Sequence, residues 1–426
     1  MIEKAKQSLK TLWQKGLVHI FAGSFLTKCI SFFGSIVLVK ALSKFEYGVL
    51  GYLENIYGYV WIFAGLGLSN AILRFCVLGE DRDQKKAFFS YAVKTAFLCN
   101  IALVLIGSLF NTVYPHRTDY APYAWLLFVL LPSLPFQYLT DNVLGHERAM
   151  FDNRRYVLFS MILSISVIAG KVLFGHWFGI RGAVFSQAGT YLILGLVFLA
   201  STCKKHYGSL RLSTGEGIVN RKEVNSYSIQ YMITNGLWAI FMLNDVYLLG
   251  RFSPAEVLAE YKVAYTIPGC VTLISTSIGI FVAPYFVKNE NDRAWVRDNY
   301  KKAFLATAAL VGAVCAAIAV LAKYLVLWLY GAQYLPAVPV MRLLLIASFC
   351  NCGLRYTTAN ILAAMGQVKY NMVVSAVGTV LQILINLWMI PHYSSYGVAI
   401  TSCIVYSFMA VSLFIVFYRK YYRGRA

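Results

Sequence analysis

Ten charged side chains in the long apolar stretches of this 426-residue chain, seven basic and three acidic, stand out, because charge is costly there. The basic ones are Lys28, Arg74, Lys94, Lys171, Lys323, Arg342 and Arg355; the acidic ones are Glu54, Asp141 and Asp245. An ionised group at bilayer depth costs about 2.5–3.5 kcal/mol on insertion scales, so each needs a partner or a purpose. Cations outnumber anions even here. A cavity lined by them attracts an anionic substrate, because a low dielectric strengthens each charge's field.

Depth ranks these residues. Lys28 is central in its apolar block and too deep to snorkel easily. It shares a face with Ser24, Thr27, Ser31 and Ser35, a polar stripe at helical spacing. A small-residue helix interface is the plainer reading of that stripe; substrate binding is the sharper one. Arg74, Lys94 and Arg355 lie a turn or two from the cytoplasmic face, where snorkelling competes with a substrate role. Lys171 sits in the outer half of its block, and Lys323 and Arg342 read as interfacial anchors. A second polar stripe, Ser228, Tyr231, Asn235, Trp238, Met242 and Asp245, repeats the spacing of the first. Asp245 either binds a coupling proton or Na⁺ or pairs with a Lys or Arg, the pairing being the plainer reading. Glu54 poses the same choice.

The elements that must position these groups follow from composition. The chain is 59% hydrophobic and 13% charged, with a mean hydropathy of +0.62, against about 25% charged in soluble domains. Its apolar blocks are of the length that about 20 helical residues need to cross about 30 Å of hydrocarbon. The roughly ten-residue alternation of β-barrel strands is absent. The sequence predicts an all-α polytopic membrane protein with about twelve spans: 17–40, 48–75, 88–110, 122–141, 156–176, 180–202, 227–250, 261–287, 303–329, 338–362, 370–391 and 396–418. Lys4, Lys6, Lys10 and Lys15 precede span one as in a signal peptide, but the block is too long and no A-x-A-like site follows. Span one is therefore expected in the mature chain. Pro132, Pro135, Pro268 and Pro284 are expected to interrupt their helices. The 30 Tyr and 8 Trp suit interfacial belts.

The formal charge of +20 suggests nucleic acid at first sight. Most of the 38 Lys and Arg, however, fall in segments that are cytoplasmic if the N-terminus is inside, including Arg82–Lys86, Arg148–Arg155, Lys204–Lys222, Lys288–Lys302 and Arg419–Arg425. The basicity reads as topology, with both termini cytoplasmic and no nucleic-acid partner. Nine cysteines, mostly inside spans, form no CxxC or zinc spacing, so neither a disulfide framework nor a metal cluster is expected. No GxxxxGK[ST] motif occurs, and no large outer segment carries paired carboxylates or His. No catalytic residue, metal or cofactor is expected, and the chain reads as a non-enzyme. Coupling to a Na⁺ or H⁺ gradient through Asp245 or Glu54 stays open.

The polar stretch 203–226 divides the chain into an N-terminal six-helix lobe, 1–202, and a C-terminal one, 227–426. Internal similarity supports the division. LVKALSKFEYGVLGY (38–52) lies against LGRFSPAEVLAEYKVAY (249–265), and KVLFGHWFGIRGAVFSQ (171–187) against NLWMIPHYSSYGVAITS (386–402), with Gly182 on Gly397 and Lys171 on Asn386. Six being even, the halves share one orientation: parallel repeats, with a site expected in a central cavity between them.

Four segments carry a resemblance to a known family: GLGLSNAILRF (65–75), ending in Arg74-Phe75; NDVYLLGRFSPAEVLAEYKVAY (244–265), with Asp245 near its start and Tyr261–Ala264 closing the turn; WLYGAQYLPAVPVMRLL (328–344); and NLWMIPHYSSYGVAITS (386–402). Ala259 and Ser395 stand where that family usually has Gly. Together they resemble the polysaccharide transporter (Wzx-type flippase) family of the multidrug/oligosaccharidyl-lipid/polysaccharide exporter superfamily. The resemblance implies alternating access by two lobes around a cationic cavity in the bacterial inner membrane. It also implies an undecaprenyl-pyrophosphate-linked oligosaccharide as cargo and the polysaccharide polymerisation machinery as a partner. Lys28, Arg74, Lys94, Lys171 and Arg355 would then receive the pyrophosphate and sugar acids, with Asp245 or Glu54 for a coupling ion. A drug or metabolite exporter of the same superfamily is the rival reading, and would favour an acid-rich cavity. The peptidoglycan-precursor flippase typically has two further spans. A membrane polysaccharide enzyme is disfavoured by the short outer loops.

Overall fold

A computed structural model describes residues 17–209 and 219–422, the side chains of 17–24 excepted. Lys4, Lys6, Lys10 and Lys15, the centre of the 203–226 stretch, Ser24's side chain and the tail beyond Tyr422 lie outside the described residues. Those described are helical or in turns, with no strand among them. Eight helices are long and apolar enough to cross a membrane, and a ninth crossing is a pair, Lys44–Trp61 and Ala64–Leu78, bent by 50°. Two of the eight, Asn153–Tyr207 and Val368–Tyr421, have 55 and 54 residues. At about 1.5 Å per residue each would be about 80 Å long, far beyond one crossing. Each contains a non-helical residue, Gly179 (φ 61°, ψ −149°) and Ser394 (φ 52°, ψ −129°), and is two helices joined without a loop. Counted so, and with Leu17–Ala41, the helices supply the twelve expected crossings.

These two junctions match. Gly179 and Ser394 stand 215 positions apart, as do Gly182 and Gly397. A Cβ on Gly182 would lie 2.0 Å from the carbonyl oxygen of Phe174, and one on Gly397 would lie 2.5 Å from that of Met389, eight residues back in both cases. The reason is local: the chain folds back so closely that only a hydrogen fits. Ser394 takes a backbone conformation suited to glycine, and its hydroxyl meets that of Ser253 at 2.7 Å.

Span two departs from expectation. It is broken, and by glycine rather than proline: Gly65, Leu66 and Gly67 all have positive φ (52°, 52° and 77°). Backbone groups freed in a membrane must find partners. The buried Asn100 carboxamide accepts from Gly65 N–H at 2.7 Å, and the Tyr138 hydroxyl accepts from Ser69 N–H at 2.9 Å. Among the prolines, Pro132 lies in a 3₁₀ turn, Leu131–Ser133, and Pro135 opens the helix Leu134–Ala149. Pro268 precedes the junction between Ala255–Cys270 and Thr272–Lys288. Pro284 lies inside the continuous helix Thr272–Lys288, so the expected interruption there is not found.

By packing, the chain forms two compact units, Met1–Glu46 with Leu53–Ala239 and Tyr47–Tyr52 with Ile240–Ala426. In the first, Gly34 of span one lies against Ile168, and the stacked rings of Phe159 and Phe198 (4.2 Å) join spans five and six. In the second, Phe286, Val296, Tyr300, Ile361, Leu362 and Phe417 form a buried cluster, with Tyr300 stacked on Phe417 at 3.7 Å. Tyr47–Tyr52 belongs to this unit because Gly48 abuts the carbonyl of Ala255 and Gly51 abuts the Lys262 side chain. Such small-residue contacts let helices approach where lipid supplies no hydrophobic drive. Leu98, Leu105, Leu109 and Trp328 are exposed, as lipid-facing residues of a multi-pass membrane protein must be.

Candidate functional site

Asp245 is the best-organised of the expected site residues. The helix Arg221–Phe252 presents it to a cavity of about 190 Å³ within the second unit, lined also by Phe241, Tyr261, Tyr265, Asn351, Gln382 and Tyr406. Its carboxylate accepts from Asn386 Nδ2 at 2.7 Å, Gln382 Nε2 at 2.9 Å and the Tyr261 hydroxyl at 3.3 Å. Hydrogen bonds to a charged group contribute about 1.5–3 kcal/mol each, which offsets part of the burial cost. Among the described residues no Lys or Arg pairs with Asp245, so the expected ion pair is not formed. Gln382 and Asn386 are buried, and their own amide oxygens have no partner. Turning either amide would place a second hard oxygen beside the carboxylate, a donor set that suits Na⁺ or a proton.

Arg355 adjoins the same cavity. Its helix widens to π geometry over Phe349–Arg355, a distortion frequent at functional positions. Arg355 is only 7% exposed, so interfacial snorkelling does not describe it. Nε donates to Asn351 Oδ1 at 2.7 Å, and the group lies over the Tyr406 ring at 6.0 Å. Asn351 and Tyr406 both line the Asp245 cavity, so it carries a cation and an anion at its margins.

In the first unit, Lys171 and Glu54 are joined: Nζ lies 2.5 Å from Oε1, with side chains 12% and 29% exposed. Two residues expected in different roles thus neutralise each other. Lys171 and Asn386, aligned by the internal repeat, each hold an intramembrane carboxylate, Glu54 and Asp245 respectively.

Arg74, Lys94 and Lys28 are exposed, and among the described residues none has an acidic partner. Arg74 lies over Tyr227 at 5.1 Å and Phe75 at 5.9 Å, beside a cavity of about 420 Å³ that Lys222, Ser226 and Gln230 also line. Contact with aromatic rings draws on a cation's charge without using up its N–H donors, which suit an anion. Lys323 and Arg342 are exposed, Arg342 donating to the Ala319 carbonyl at 3.1 Å. Sequence reasoning passed over one basic residue, Lys262, and gave Asp141, which it placed among the intramembrane charges, no role. Lys262, at the start of span eight, lies over the Tyr47 ring at 4.9 Å; as the second residue of its span it was signalled by position alone. Asp141 lines a separate cavity of about 250 Å³ with Ser69, Asn70 and Arg148.

Comparison with known proteins agrees with this architecture. Residues 12–290 match the family model described as polysaccharide biosynthesis protein. An uncharacterised membrane protein of Methanocaldococcus jannaschii is 21% identical, the match covering 93% of this chain and 82% of that protein. The lipid II flippase MurJ in an inward closed conformation superposes with a TM-score of 0.73 at 15% identity, covering 94% of this chain and 87% of that one. An inward-facing multidrug resistance MATE family transporter of the MOP superfamily gives the same TM-score and identity, covering 93% and 95%. At such identities the two solved structures speak for the fold. With most of its length matched by the family model, the chain belongs to the polysaccharide biosynthesis protein family.

Proposed function

We propose that the protein is a flippase that moves an undecaprenyl-pyrophosphate-linked oligosaccharide from the cytoplasmic to the outer leaflet of a bacterial inner membrane by alternating access. It would serve surface polysaccharide synthesis and hand its cargo to the polymerisation machinery. The observation that carries this reading is the uncompensated positive charge of Lys28, Arg74 and Lys94 on apolar helices of the first unit. A pyrophosphate neutralises such charge, and Arg adds bidentate pairing. Lys171 joins them when Glu54 takes up a proton, which breaks the ion pair and frees the ammonium. Arg355 receives a phosphate or sugar acid in the second unit, and Asp245 with Gln382 and Asn386 takes the coupling Na⁺ or H⁺. The lipid tail stays in the bilayer throughout.

A second reading, a drug or metabolite exporter exchanging its cargo against a cation, draws on Asp245. A carboxylate among Phe241, Tyr261, Tyr265 and Tyr406 is a setting that also suits an organic cation. The two readings separate in one experiment. In cells lacking the protein, lipid-linked oligosaccharide should accumulate in the inner leaflet, and Lys28→Ala, expressed at the wild-type level, should fail to restore its outward movement. Arrival at the outer leaflet at the normal rate without the protein would end the flippase reading, and restored transport by Lys28→Ala would return Lys28 to a packing role.

A further inference from the structure

His146, Glu147 and His206 converge where the helix Leu134–Ala149 ends beside the end of Asn153–Tyr207. A ligand atom from each lies within 4.8 Å of the others. His146 and Glu147 are fully buried, and the His206 side chain is 11% exposed. Tyr207 Oη meets His146 Nε2 at 2.7 Å, His206 Nε2 meets Glu147 Oε2 at 3.1 Å, and the Thr202 hydroxyl donates to Glu147 Oε1 at 2.5 Å. Nδ1 of His146 has no hydrogen-bond partner. The less costly tautomer puts the proton on Nε2, donating to Tyr207, since a proton on Nδ1 would bury an N–H with no acceptor. Nδ1 is then left with a bare lone pair. Phe89, whose ring centroid lies 4.4 Å from that of His146, fixes the imidazole.

We propose that these three residues bind a divalent transition-metal ion, Zn²⁺ foremost. Two imidazoles and one carboxylate form a donor set of borderline softness that suits Zn²⁺ and Co²⁺ and leaves a fourth position open. Tyr207 orients His146 from behind, as the outer partner of a metal-bound imidazole does. Arg155 is the competing charge, with Nη1 3.8 Å from Glu147 Oε1. It keeps other partners when Glu147 turns to the metal: Nη2 donates to Ser201 at 2.6 Å, and the guanidinium lies over Phe159 at 4.8 Å. Its field, with that of Lys86 over the Tyr207 ring, holds the affinity below that of a closed structural zinc site. The ion ties the ends of spans four and six together. The sequence led to no metal cluster being expected because its cysteines show no zinc spacing; Glu147 and His206, 59 residues apart, form no local motif.

The test uses the purified full-length chain, stripped of metal, with Zn²⁺ alone followed by calorimetry and Co²⁺ alone followed by visible absorption. One equivalent should bind, with d–d bands of a nitrogen–oxygen site and no thiolate charge-transfer band, a necessary control with nine cysteines present. His206→Gln and His146→Asn should abolish it, and Tyr207→Phe should weaken it about tenfold. His146→Asn is counted only if its metal-free melting temperature matches wild type; His206→Gln, at the partly exposed position, carries the test otherwise. A wild-type chain that takes up no metal, an unchanged titration in His206→Gln, or a thiolate band with Co²⁺ would each overturn the proposal.

Discussion

Glu54 and Lys171 lie 117 residues apart in sequence and meet inside the first unit. Removing one partner of a fully buried pair costs about 3–5 kcal/mol. Glu54 keeps 29% of its side chain exposed, so the pair is not fully buried and the expected loss for Lys171→Met is smaller, about 1–2 kcal/mol. Glu54→Gln with Lys171→Met should lose less than the two singles together, by about 1 kcal/mol. Melting temperatures of the four proteins in one detergent decide the matter, and strictly additive losses would show that the pair contributes nothing. Both residues were visible in the sequence as intramembrane charges, but their pairing was not, because hydropathy locates a residue in depth and says nothing of which helix faces which. Asp245 repeats the lesson. Its donors Gln382 and Asn386 stand 137 and 141 residues further on, and neutral amides in an apolar helix give no signal of what they bond.

At the level of elements, the junctions at Gly179 and Ser394 are the most informative. A non-glycine residue in this backbone region costs about 1–3 kcal/mol, whereas the hydrogen bond to Ser253 contributes about 1 kcal/mol. Ser394→Gly should therefore leave stability unchanged or raise it by up to about 2 kcal/mol, while Ser394→Ala, which keeps the strain and loses the bond, should lower it by about 1 kcal/mol. Thermal unfolding of both variants provides the check, and a glycine variant no more stable than the alanine one would refute the strain argument. The span positions were legible because about twenty apolar residues in a row have few other fates. The breaks were less so. Proline was the obvious breaker, yet Pro284 leaves its helix continuous, and Gly65–Gly67 divide span two because Asn100 and Tyr138 stand ready to take the freed backbone groups. That compensation comes from other spans and is invisible locally.

Over the whole molecule, the distribution of charge makes a topological prediction. With the N-terminus inside, Asp83 lies in a cytoplasmic segment and Asp119, between Val113 and Ala121, in an outer one. In a cysteine-free background, Asp119→Cys should react with a membrane-impermeant maleimide in intact cells, and Asp83→Cys only after permeabilisation; the reverse pattern would invert the topology. The loopless turns bear on how such a chain is made. Spans five and six, and eleven and twelve, have no slack between them, so neither member of a pair can settle across the bilayer while the other waits in water. Each pair must leave the insertion machinery as one hairpin, and the penalty for bringing Lys171 into the membrane falls on two helices at once.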